Sequence, residues 1–73
     1  MSIKIIASRW AQRYNLPELL ELEAGASISD ALCLLAVPAE EVGLASVNGA
    51  ARKRDSELCD GDELELFPVL IDG

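Results

Sequence analysis

Few residue types in this chain can do chemistry. Its 73 residues contain no histidine, which excludes a Cys–His nucleophilic pair. Cys33 and Cys59 are the two cysteines; a metal site would have to combine both thiols with carboxylates, so none is expected. Cys59 sits in a polar turn and should be accessible, but no basic neighbour stands beside it to lower its thiol pKa, and it reads as a spectator. Asp60-Gly61-Asp62 reads as turn chemistry feeding a strand, and Arg52-Lys53-Arg54 as a solvated hairpin strand, secondarily a contact for an acidic partner. What remains is the tail, Phe67-Pro68-Val69-Leu70-Ile71-Asp72-Gly73. A strand that runs out to a bare glycine offers an unhindered α-carboxylate to a partner pocket. The functional question is whether that carboxylate is the working group.

The elements that must hold this tail can be traced through the chain. Residues 2–7 alternate as a strand, with Ile3 and Ile5 on one face and Lys4 and Ile6 on the other. Residues 8–16, with Trp10 and Tyr14, form an amphipathic connection with room for a short helical turn, and the two aromatics are expected to cap the open edge of a small core. A half-buried strand follows over 18–23, where Leu20 and Leu22 alternate with Glu21 and Glu23, and Ala24-Gly25 turns it. Ser27 is placed as a helix N-cap with Asp30 completing a weak capping box. Ile28, Ala31, Leu32 and Leu35 then share one helical face, Cys33 falls near the opposite one, and Pro38 is expected to stop the helix. After an irregular turn over 39–43, Leu44 to Val47 form a strand that returns through Asn48-Gly49 as Ala50 to Arg54. Ser56-Glu57-Leu58 crosses over, and Asp60-Gly61 opens the last strand, residues 62–68.

That order, β, β, α, β, β, β, leaves one plausible core: the helix against one face of a single sheet, an α+β roll in one domain spanning 1–73. A 51% share of apolar residues with three aromatics makes that core aliphatic. A chain this short buries roughly 60% of its unfolded surface, which leaves little room for a deep catalytic cleft. Six basic residues against thirteen acidic give a formal charge of −7, which opposes nucleic-acid binding and suits a basic protein surface. No stretch approaches the 18 or so apolar residues of a membrane span, and the N-terminus lacks a signal-peptide layout, so a cytoplasmic protein is expected.

In this order, Val47-Asn48-Gly49, then Leu58-Cys59-Asp60-Gly61-Asp62-Glu63-Leu64, then Phe67-Pro68-Val69 leading to a terminal glycine resemble the β-grasp (ubiquitin-like) sulfur-carrier family. The resemblance covers essentially the whole chain. The nearest comparisons are the small subunit of molybdopterin synthase and the thiamine-pathway sulfur carrier, and the Phe67-Pro68 tail looks more like the former. It implies a mixed sheet on one main helix, with the first and last strands as central, parallel neighbours. It also implies a protein that is not itself an enzyme and binds no cofactor. In that family a ubiquitin-activating-type enzyme uses ATP to adenylate the terminal glycine, here Gly73, and sulfur then displaces the adenylate to leave a thiocarboxylate. The partners implied are that enzyme and a sulfur acceptor such as the synthase large subunit, with no nucleic acid and no membrane.

By the same resemblance, Leu64 and Leu66 would face the helix, while Glu63, Glu65 and Phe67 face away with Ile6. Ile6 and Phe67 are expected in a solvent-facing apolar patch with Leu19 at its edge, and Pro68, Val69, Leu70, Ile71 and Asp72 form the partner-binding tail. One departure matters. Such carriers typically end in two glycines, and here the penultimate residue is Asp72. A carboxylate there would stand close to the ATP phosphates during activation and be repelled by them. Three readings follow: the cognate enzyme accommodates Asp72, the chain is a non-conjugating β-grasp interaction module, or the native chain continues past Gly73.

Overall fold

The computed structural model describes residues 1–6 and 9–69, with residue 10 described by its backbone alone. Strand β1 is Ser2–Ile6 and β2 is Leu19–Glu21; helix α1 is Ile28–Leu35; β3 is Val42–Val47, β4 is Ala50–Arg52 and β5 is Glu63–Pro68. Two 3₁₀ turns, Trp10–Tyr14 and Ala39–Glu41, fill the connections before β2 and β3. The five strands form one sheet in the order β2-β1-β5-β3-β4. Among the described residues only β1 and β5 pair in parallel, at the centre, and every other pairing is antiparallel. The mixed sheet with one helix is the architecture expected from the sequence.

The alternation read from the sequence sets the layers. Ile3 and Ile5 of β1, Leu64 and Leu66 of β5, and Ala45 and Val47 of β3 are buried on one sheet face. Ile28, Ala31, Leu32 and Leu35 meet them from α1, and Leu22, Val37, Val42 and Leu58 complete the same cluster. Each fully buried branched side chain contributes about 1.5–3 kcal/mol of transfer free energy, so this aliphatic layer is what holds a chain of this size together. Tyr14 packs partly buried against it, as expected, while the side chain of Trp10 lies outside the described residues.

The boundaries differ in physically clear ways. β2 is confined to Leu19–Glu21 rather than 18–23, the residues that pair with Ser2 to Lys4 at the start of β1, although Leu22 still turns into the core. The helix does not need Pro38 to end it. Ala36 adopts a left-handed conformation, φ 58, and its N–H bonds back to the carbonyls of Leu32 and Cys33. At the other end the capping box is complete: the Ser27 hydroxyl accepts from the Asp30 N–H, and the Asp30 carboxylate accepts from the Ser27 N–H. β3 begins at Val42, two residues earlier than the sequence suggested, because its pairing with β5 accommodates a register shift between Val42 and Leu44. β4 stops at Arg52; Arg54 has left the ladder, and its guanidinium donates to the Val42 carbonyl at 2.8 Å.

The two turns nearest β5 lock its register. Asn48 and Gly49 carry φ of 53° and 85°, as a tight hairpin requires. The Asn48 side chain also reaches across the strand, accepting from the Glu63 N–H and donating to Asp62. Asp60 accepts from the Ser2 N–H and Asp62 from the Cys59 N–H, so Asp60-Gly61-Asp62 is the turn chemistry anticipated. β5 therefore enters the sheet centre at a fixed phase, which decides where it leaves.

Candidate functional site

With Leu64 and Leu66 buried, the pleat turns Glu63, Glu65 and Phe67 of β5 to the face away from the helix. The same logic places Lys4 and Ile6 of β1, Leu44 and Ser46 of β3, and Leu19 of β2 on that face. Register then sets neighbours: Phe67 stands opposite Leu44, Glu65 lies between Ile6 and Ser46, and Leu19 stands opposite Lys4. Phe67 and Ile6 are half-buried, whereas Leu19 is 64% exposed, Leu44 47% and Val69 40%.

Two clefts open beside these residues. Gly43, Leu44, Phe67, Pro68 and Val69 line a cleft of about 460 Å³ at the point where β5 runs out. Ile6 lines a separate groove with Lys4, Leu16, Pro17 and Glu18. Leu44 and Gly43 were absent from the sequence-derived site. Leu44 could have been found by extending the Ala45/Val47 alternation back one residue. Gly43 could not, because its role depends on its partner strand. A groove of about 800 Å³ lies between α1 and the β2–α1 connection, away from the strand end, and gathers Glu21, Glu23, Asp30 and Leu34. Cys33 and Cys59 are both exposed free thiols, matching their sequence-based placement off the core. Among the described residues no cluster of three or more His, Cys, Asp or Glu is placed to hold a metal ion.

The root of the tail is held closely. The Val69 N–H donates to the Glu41 carbonyl at 3.1 Å. A Cβ on Gly43 would stand 2.8 Å from both the Pro68 carbonyl oxygen and the Val69 Cα, so only glycine leaves the tail room to pass there. The Glu41 carboxylate accepts from the Tyr14 hydroxyl at 2.5 Å, with the Arg13 guanidinium 3.9 Å away. That hydrogen bond first, then desolvation and the Glu41 charge, raise the Tyr14 pKa above its ordinary value, with Arg13 opposing. Leu70, Ile71, Asp72 and Gly73 lie outside the described residues.

A five-stranded mixed sheet with parallel central strands, one helix across it and the last strand at its centre is a ubiquitin-like β-grasp fold, the class read from the sequence. More narrowly, the Mut7-C ubiquitin family model matches residues 13–72, and the chain belongs to that family. In structure the chain is similar to SAMP1 from Haloferax volcanii, with a TM-score of 0.68 and 22% identity over 100% of this chain and 98% of that one. At that identity the likeness speaks for the fold. No curated protein matches the chain significantly.

Proposed function

We propose that this chain is a sulfur carrier that works through a thiocarboxylate at Gly73 and supplies a tether and docking face rather than an active site. In this reading the Gly73 carboxylate attacks the α-phosphorus of ATP held by a ubiquitin-activating-type enzyme, releasing pyrophosphate and leaving an acyl adenylate. A hydrosulfide equivalent then adds to the carbonyl carbon. AMP departs with the electrons of the broken C–O bond, a proton is released, and the thiocarboxylate remains. The sulfur then passes to a biosynthetic precursor, of molybdopterin type by the likeness of the Phe67-Pro68 tail, or of the thiamine pathway.

The observation that supports this reading best is the adjacency of cleft and tail root. Leu44, Phe67 and Val69 form an apolar docking surface at the same strand end from which the tail departs. An enzyme seated there is within reach of the carboxylate: four residues beyond Val69 span at most about 14 Å. Glu63 and Glu65 extend along the same face, so the complementary surface is apolar with a basic rim.

The test is the intact mass of the chain incubated with the activating enzyme of its own organism, ATP and a sulfide donor. The expected result is a mass increase matching one oxygen replaced by sulfur, abolished when Gly73 is deleted. An unchanged mass with an enzyme that is demonstrably active overturns the carrier reading. It would favour instead a non-conjugating interaction module, the reading that Asp72 in place of a penultimate glycine supports.

A further inference from the structure

Glu41 is bonded through both its main chain and its side chain, and the two bonds lead to different parts of the molecule. Its carbonyl receives the Val69 N–H at 3.1 Å, one residue past the end of β5. Its carboxylate receives the Tyr14 hydroxyl at 2.5 Å, on the 3₁₀ turn that follows β1. The Glu41 backbone is itself fixed, because its N–H bonds to the Pro38 carbonyl at 3.0 Å and it closes the turn Ala39–Glu41. Across from it, Gly43 lets the Pro68–Val69 backbone lie closer than any Cβ would permit.

We propose that Tyr14 and Glu41 form a clasp that holds the strand end at Val69 against the Ala39–Glu41 turn, and that this anchoring favours activation by a docked enzyme. The second half rests on the carrier reading. An anchored Val69 gives an enzyme docked at the cleft one fixed starting point for the chain it must activate, so less ordering is left to the docked complex. Neither side chain lines the apolar cleft, so loosening the clasp leaves docking intact and slows the step after it. Glu41 and Tyr14 are therefore positioning residues, acting through the tail root.

The test has two arms. In the free chain, amide hydrogen exchange at Val69 is measured by NMR for wild type, Tyr14→Phe and Glu41→Gln. Tyr14→Phe keeps the ring and removes the donor, and is expected to speed Val69 exchange about ten-fold while Leu64 and Leu66 amides stay unchanged. Glu41→Gln keeps an acceptor for Tyr14 and should remain near wild type. Unchanged Val69 exchange in Tyr14→Phe overturns the clasp. In the second arm, ATP–pyrophosphate exchange by the activating enzyme is expected to show kcat reduced several-fold in Tyr14→Phe with KM within about two-fold. A faster Val69 amide with unaltered kcat overturns the positioning role. If wild type itself supports no pyrophosphate exchange, the carrier reading falls and the clasp is decided by the Val69 amide alone.

Discussion

The Tyr14 hydroxyl holds its proton more tightly than an ordinary tyrosine, and that has a measurable consequence. The Glu41 carboxylate stabilises the neutral phenol as hydrogen-bond donor and opposes the phenolate by its charge, so the folded-state pKa lies above the ordinary 10.0. The stability gained from keeping the proton is fully present below pH 10.0 and is lost as pH rises through the folded value. Because the chain has one tyrosine, its phenolate absorption can be followed directly; the midpoint should lie above 10.0 in the native chain and fall toward it in Glu41→Gln. Leu44 and Phe67 make a contrasting pair on the outer face. Leu44→Ala removes an exposed side chain and should leave thermal stability within about 0.5 kcal/mol of wild type. If the cleft is the docking site, the same change should weaken partner binding, and Phe67→Ala should weaken it more, by roughly 2 kcal/mol or above for an aromatic anchor. Titration calorimetry against the activating enzyme checks both, and unchanged affinity in both variants would remove the cleft from the interface.

At the scale of elements, two short sequence signals do more than their size suggests. The Ser27/Asp30 capping box satisfies donors at the start of an eight-residue helix too short to be stable without packing. Ser27→Ala is expected to cost about 0.5–2 kcal/mol in chemical denaturation, with the denaturant slope unchanged. Gly43 is the second. A methyl there would meet backbone atoms of Pro68 and Val69 at 2.8 Å, contacts that no side-chain rotation can relieve. Gly43→Ala should therefore destabilise by about 1–3 kcal/mol and displace the tail root, visible as loss of protection at the Val69 amide. An alanine variant as stable as wild type would show that β3 and the strand end separate freely. The 3₁₀ turn Ala39–Glu41, read from the sequence as irregular, is the element that receives the tail.

For the molecule as a whole, the formal charge of −7 implies that association with a basic partner surface is steered electrostatically. On the carrier reading, the on-rate for the activating enzyme should fall as salt rises while the off-rate changes little, a split that stopped-flow mixing resolves. A salt-independent on-rate would remove the acidic strip around Glu63 and Glu65 from the encounter. No described helix is long and apolar enough to cross a membrane. Element order, the aliphatic core and the alternation of the two sheet faces were legible in the chain alone. Each of these follows from local periodicity: Ile3/Ile5 and Leu64/Leu66 alternate with polar residues, Ile28/Ala31/Leu32/Leu35 repeat with the helix, and Asn48-Gly49 and Asp60-Gly61 admit positive φ only as turns. Resemblance of motifs supplied the parallel pairing of β1 with β5, which local periodicity does not encode. Which apolar residues meet at the end of β5, and what holds Val69, emerged with the folded sheet. Leu44 came opposite Phe67 and beside Val69, and Gly43 and Glu41 came against Pro68 and Val69. The physical reason is that register between strands distant in sequence is set by pairing across the whole sheet, including one shift at the start of β3, and no run of neighbouring residues records it.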